Sequence, residues 1–258
     1  MVSLRLECDA EQKDGLIAAL WEEGTLGITE VDLHGNRTEL RAFFEAPFDA
    51  SAIGGKWEDE PEVDWAAETR AAWPGRVVGE RFWVVPPWND DPTPEGRVRL
   101  VINPGVGFGT GADLTTQLCL EALERELRPT DSVFDFGTGS GILALAAHAL
   151  GARAVTAADI DLDAVVAARE DLPEAVGLFV GSIRSVRDGC VDVLLANLNA
   201  ETIANHASEI RRVLRPGGRV IISGVPPRHG ERVVKALSAN GIPPREVVER
   251  DIWLRIVC

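Results

Sequence analysis

The four cysteines, Cys8, Cys119, Cys190 and Cys258, lie far apart and form no C-x-x-C pair. Neither a zinc site nor a disulfide framework is suggested, and reduced thiols are expected. No metal-ligating cluster stands out elsewhere. No apolar run is long enough to cross a bilayer, so no membrane span is expected. The first residues alternate apolar and polar and soon turn acidic, unlike a signal peptide, so the expected setting is the cytoplasm. Cations are scarce as well: 26 Lys and Arg stand against 41 Asp and Glu, a net charge of −15. Gripping nucleic acid phosphates takes clustered Lys and Arg, so direct nucleic acid binding is not expected. The acidic surface suits a basic partner or is simply solvated. There is no internal repeat or low-complexity tract.

What is present centres on residues 133–145, V-F-D-F-G-T-G-S-G-I-L-A-L. An apolar run ending in an acid, then glycines at alternate positions, then an apolar-periodic segment reads as a buried strand, a tight turn and a helix start. Glycines at 137, 139 and 141 let a ligand approach the main chain. The third glycine comes one residue too early for the dinucleotide pattern. Neither this turn nor the glycine loop at 105–111 ends in the Lys-Ser/Thr pair of a P-loop. Asp135-Phe136-Gly137 lacks the other kinase signatures. The remaining match is to the first motif of class I S-adenosylmethionine (SAM) methyltransferases, which D-F-G-T-G-S-G resembles.

Around this centre the chain divides. Residues 2–8 alternate as a strand, 11–23 place Leu16, Ile17, Leu20 and Trp21 on one helical face, and 26–33 and 38–44 read as two strands joined by a turn at 34–37. A small N-terminal α+β lobe of ferredoxin-like type over 1–55 is expected, then a linker over 56–75 with a short helix near 63–73 carrying Trp65 and Trp73, then a catalytic domain over 76–258. Strands are expected at 76–85 and 97–102 with a loop between them. A long glycine-rich loop follows, then a helix to about Leu127. Beyond it, strands at 131–136, 154–159, 176–181, 191–196 and 219–225 alternate with helices at 140–150, 161–172, 199–214 and 229–240, and two strands close the chain near 244–257. That alternation predicts a Rossmann-like α/β sheet, mainly parallel and covered on both faces. The tryptophans are expected in the core more often than as stacking platforms.

Asp159 ends the second strand about twenty residues past the glycines, where an acid can accept hydrogen bonds from ribose hydroxyls. Asp161 and Asp163 read better as helix-cap and dipole partners. Gly181-Ser182 ends the third strand on the same rim, as an adenine border or an ordinary turn. Asn197 runs out of the fourth strand. Its side-chain oxygen is suited to accept a hydrogen bond from a substrate amine while nearby backbone carbonyls take the remaining proton; as an Asn it also reads as a cap, the role expected of Asn199. The four histidines are scattered, and alignment alone can supply much of the catalysis, so no general base is assigned.

Four motifs in order resemble the PrmA family, bacterial methyltransferases of large-subunit ribosomal protein L11. They are residues 103–111, N-P-G-V-G-F-G-T-G with Thr115-Thr116, similar to the family's D-P-G-x-x-F-G-T-G-x-H-x-T-T; Asp135 to Gly141; Asp159-Ile160-Asp161; and Ala196-Asn197-Leu198. The resemblance implies that Thr116, Gly137, Asp159 and Asn197 contact SAM or lie against it, with Phe108, Gly109, Thr110 and Gly111 closing over it; Asp135, Thr138, Gly139, Gly141, Ile160 and Ser182 are expected at the same site. It also implies residues 1 to about 55 as the reader of the ribosomal protein; Asn197 and Leu198 are expected as the catalytic residues, lysine or N-terminal amines as the acceptors, and a monomer as the working form. Asp113 stands where the family usually has His, Leu114 where Pro is frequent, and Ile252 where an acid precedes Trp253. A methyltransferase with another acceptor and a non-catalytic scaffold with the same fold are the competing readings.

Overall fold

Strict alternation of side chains puts Leu4, Leu6 and Cys8 on one face of the first strand, β1 (Val2–Asp9), and these residues begin the core of the N-terminal unit. A computed structural model describes residues 2–33, 37–59, 73–104 and 109–258, and the chain separates into two units, 1–69 and 70–258. In the first, α1 (Lys13–Glu22) follows β1, then β2 (Gly27–Leu33), β3 (Arg37–Phe44) and β4 (Lys56–Asp59). The sheet order is β2-β3-β1-β4, antiparallel throughout. Two expectations change here. β4 pairs with β1, so the small sheet runs beyond residue 55 into the stretch read as linker. Residues 45–55 form bends and a turn where a β-α-β-β-α-β lobe has its second helix. Pro47 and Gly54-Gly55 do not favour a helix there, and Phe48, Ala50 and Ile53 cover the core instead. Phe48 meets Phe44 and Trp57 edge to face, with centroids 5.0 and 5.3 Å apart. Trp21 was expected on the apolar face of α1; Leu20 is buried, whereas Trp21 is 55% exposed. The expected helix at 63–73 falls, apart from Trp73, outside the described residues, as does most of the turn at 34–37.

In the second unit, the expected strand at 76–85 is a hairpin, β5 (Arg76–Val78) and β6 (Phe82–Val85), and β7 (Val98–Val101) completes a three-stranded sheet. Then come α2 (Leu114–Glu126), β8 (Ser132–Phe136), α3 (Ile142–Ala149), β9 (Ala154–Asp159), α4 (Leu162–Asp171), β10 (Gly177–Val180), β11 (Val191–Asn197), α5 (Ala200–Asn205), α6 (Ala207–Val213), β12 (Leu214–Val225), α7 (Pro227–Ala239), β13 (Glu246–Arg250) and β14 (Trp253–Val257). The seven-stranded sheet has the order β10-β9-β8-β11-β12-β14-β13, with its first five strands parallel and β14 antiparallel to both neighbours.

β8 shows how both faces are closed. Val133 joins a core with residues of α2, α3 and α4, whereas Phe134 and Phe136 join the opposite core with residues of α5, α6 and α7. The helix read as 199–214 is broken at His206, whose ring Nδ1 donates to the Thr202 carbonyl, 2.8 Å away. Proline at its first position starts α7 two residues before the expected boundary. Ile252 lies in the two-residue turn between β13 and β14, 62% exposed.

Candidate active site

Strand order reverses between β8 and β11, so a crevice opens where their carboxyl ends part company, the place where open α/β sheets bind ligands. Gly137 leaves β8 there at φ +74°, and a Cβ on it would stand 2.5 Å from the Leu198 side chain. No other residue type fits so close beside Leu198 in that conformation. The turn is fastened to β9: the Gly137 and Thr138 amides both donate to the Ala158 carbonyl, at 2.9 and 3.0 Å. Gly139 and Gly141 also adopt positive φ.

Asp159, at the end of β9, accepts from the Gly139 amide through Oδ2 at 3.0 Å and from the Asp161 amide through Oδ1 at 3.1 Å. Each carboxylate oxygen has a second lone pair, so capacity remains for a ligand hydroxyl. Asp161 caps α4 by accepting from the Asp163 amide, the role its position suggested. Ile160 is 78% exposed beside Asp159. Ser182 accepts from the Arg184 amide at 3.4 Å and caps the short 3-10 turn Ile183–Ser185, which favours the ordinary-turn account of it.

Asp135 shares the face of Val133 and is almost wholly buried. Burial pushes its carboxyl up to about 7. Opposing this, the Thr138 hydroxyl donates to Oδ2 at 2.6 Å, and the Ala144 amide favours the ionised form without closing a hydrogen bond. The other oxygen, Oδ1, is buried without a partner among the described residues.

Across the crevice, Asn197 ends β11. Its Nδ2 donates to Oγ1 of the fully buried Thr116 at 3.1 Å, leaving its buried Oδ1 without a partner among the described residues. Leu198 is held from two sides, by Gly137 against its side chain and by Gly224 against its backbone. Asn199 caps α5, accepting from the Thr202 amide at 2.8 Å.

The glycine loop meets the same centre. The Ser140 hydroxyl donates to the Gly109 carbonyl, and Gln117 Nε2 donates to the carbonyls of Gly111 and Ala112 at 3.0 and 3.1 Å. Sequence reasoning passed over Ser140 and Gln117; Ser140 sits inside the glycine motif, but nothing in the sequence says which carbonyl it serves. Thr110 and Gly111 line a small pocket with Trp73 and Val84. Asp113 precedes α2 without capping it, and its buried Oδ2 has no partner among the described residues. Phe108 lies outside the described residues.

The chain is similar to known proteins over most of its length. The family described as Ribosomal protein L11 methyltransferase (PrmA) matches residues 36–258. The ribosomal protein L11 methyltransferase of Pseudomonas putida strain F1 is 33% identical, over 99% of this chain and 97% of its own length. That of Symbiobacterium thermophilum is 37% identical, over 78% of this chain and 67% of its own. The crystal structure of the ribosomal protein L11 methylase from Lactobacillus delbrueckii subsp. bulgaricus superposes with a TM-score of 0.67 and 30% identity, covering 71% of this chain and 96% of that one. A match that spans the glycine turn, the Asp159 strand end and the Asn197 strand end together places this chain in the ribosomal protein L11 methyltransferase (PrmA) family.

Proposed function

We propose that this chain, a SAM-dependent methyltransferase, methylates amino groups of ribosomal protein L11, on lysine side chains, the N-terminal α-amine or both. The observation that carries the reading is Asn197 at the crevice, whose amide is turned by Thr116 so that its buried carbonyl oxygen is left without a partner among the described residues. A neutral amide oxygen accepts an N–H from an amine without favouring the ammonium form as a carboxylate would. That matters because an α-amine titrates near about 8 and a lysine near about 10.4, and only the neutral amine is a nucleophile. Asn197 then orients the lone pair, and the Leu198 carbonyl is the second acceptor.

The residues present fit the donor. Asp159 keeps lone pairs for a ribose diol, Ile160 offers an exposed apolar surface beside it for adenine, and the turn at Gly137 and Gly139 leaves its main chain open to approach. Thr116, Thr138, Gly141 and the Gly109 to Gly111 segment of the loop shape the rest of the pocket, with Asp135 at its border. When bound, SAM supplies a methyl group on a cationic sulfur.

The N-terminal unit, acidic on β1 and α1, is the proposed reader of the basic acceptor, with the cytoplasm as its setting. The test is transfer of labelled methyl from SAM into purified ribosomal protein L11, with the modified residues mapped by mass. Label in L11 that disappears with Asn197→Ala is expected. No label with SAM bound would sink the reading, and label only in another large-subunit protein would change the acceptor.

A further inference from the structure

At the opposite end of the parallel strands, where β12 begins, the chain gathers cations. We propose that the cleft around the start of β12 is a phosphate-binding site, separate from the crevice at the strands' carboxyl ends. Five arginines line it, Arg128, Arg211, Arg215, Arg219 and Arg245, and no acidic side chain does. The net charge of −15 is a sum over the whole surface and does not describe this cleft.

Three of the five are fixed by acids: Arg219 by Asp131 at 2.7 Å, Arg215 by Asp192 at 2.5 Å and Arg245 by Glu126 at 2.9 Å. A guanidinium has five N–H donors, so one ion pair orients the fork and leaves donors over. Arg128 and Arg211 are exposed and have no carboxylate partner among the described residues. Arg211 donates only to the Leu214 carbonyl, at 3.4 Å. Five guanidiniums face three side-chain carboxylates, and Arg245 also donates to the Cys258 main-chain oxygen at 3.4 Å, so the arginines outnumber the acids that hold them.

Complementing helix ends explains part of this, because Arg211 and Arg219 reach carbonyls at the ends of α6 and α2. It does not explain Arg128, whose side chain makes no such bond among the described residues. Gly217 and Gly218, in the irregular first part of β12, form part of the cleft wall and put no side chain in a ligand's way. Guanidinium forks converging from separate segments match the several oxygens of a phosphate better than the two of a carboxylate. The phosphate is either that of a free polyphosphate or nucleotide or that of an RNA backbone, and one experiment separates the two.

Inorganic pyrophosphate and a short single-stranded oligoribonucleotide are titrated calorimetrically against the full chain and the double variant Arg128→Ala/Arg211→Ala. Pyrophosphate should bind the wild-type chain and bind the variant at least tenfold more weakly, with SAM affinity unchanged. An RNA source is identified if the oligonucleotide binds more tightly than pyrophosphate and the slope of log K against log salt flattens by about 0.7 for each arginine removed. A free-phosphate source is identified if the oligonucleotide binds no more tightly. Arg128→Glu, whose parent side chain has no hydrogen bond or ion pair among the described residues, repeats the test should the double variant fold poorly. The proposal is overturned if neither anion binds the wild-type chain, or if the variants bind both as tightly.

Discussion

Replacing Thr116 by valine keeps the side chain's outline and removes one hydroxyl, the only partner of Asn197 Nδ2 among the described hydrogen bonds. Thr116 is fully buried, so water cannot easily take the hydroxyl's place. Leaving a buried donor unsatisfied costs about 1–3 kcal/mol. The same energy holds the amide with its oxygen free; once lost, the amide can turn and present N–H groups to an acceptor amine, a useless arrangement. At about 1.4 kcal/mol per factor of ten, turnover with saturating SAM should fall by about 5- to 150-fold. SAM affinity should fall much less than turnover, because valine keeps the outline that Thr116 gives the pocket and the Asp159 end of the site is untouched. Single-turnover methyl transfer and calorimetric SAM binding, run on one preparation beside a thermal melt, separate the effects. Thr116→Ser, which restores a hydroxyl, should recover most of the rate. A folded Thr116→Val enzyme with normal turnover would refute the idea that Thr116 sets the amide. Equal losses in the valine and serine variants would trace the effect to packing.

Gly224 sits at φ +80°, and a Cβ there would stand 2.6 Å from the Leu198 carbonyl oxygen, a clash that no side-chain motion relieves. Gly224→Ala should therefore cost both the roughly 1–2 kcal/mol of left-handed backbone and at least tenfold in turnover. Gly151→Ala, at φ +86° with nothing within 4 Å, should show the backbone cost alone, and identical behaviour of the two would remove the proposed clamp. Asp135 holds its proton up to about 7 in the folded chain, whereas an unfolded aspartate ionises near about 4. The folded state thus binds the extra proton between these values, and stability present below about pH 4 is lost as pH rises to 7, by on the order of 4 kcal/mol. Asp135→Asn should flatten that decline in urea melts from pH 4.5 to 8, and parallel curves for the two proteins would contradict the assignment. Finally, a thiol reagent at pH 8 should modify half-buried Cys190 quickly, while buried Cys8, Cys119 and Cys258, the last pushed up to about 12 by burial, react only on unfolding. Two fast thiols in the native protein would contradict this.

The glycine turn was legible because its backbone leaves few alternatives: positive φ at Gly137, Gly139 and Gly141 forces glycine, and the spacing of those glycines appears directly in the chain. Asp159 was legible because acids at strand ends follow a fixed distance after such a turn. The pairing of Thr116 with Asn197 spans 81 positions, and nothing local to either residue announces the other. The same holds for Ser140 with Gly109, and for β4, whose strand character depends on the free edge of β1 more than on K-W-E-D itself. Trp21 shows the limit of periodicity: it lies next to Leu20 on a wide apolar arc, and only the sheet decides which edge of the arc is covered. The break at His206 was missed because A-N-H-A contains no Gly or Pro to mark it.

The turn after β8 has one further consequence, for what the crevice refuses. In many nucleotide sites the amides at this corner point outward and grip a phosphate. Here they are already used inside the protein: Gly137 and Thr138 on Ala158, Gly139 on Asp159, Gly141 on the Thr138 carbonyl, and Ile142 on the Ser140 hydroxyl. A phosphorylated nucleoside entering the crevice would find few free donors and would meet the Asp159 carboxylate besides. On the proposed placement of SAM at this corner, adenosine derivatives would be sorted by charge, a nucleoside with a tail cationic at sulfur being admitted and adenine nucleotides turned away.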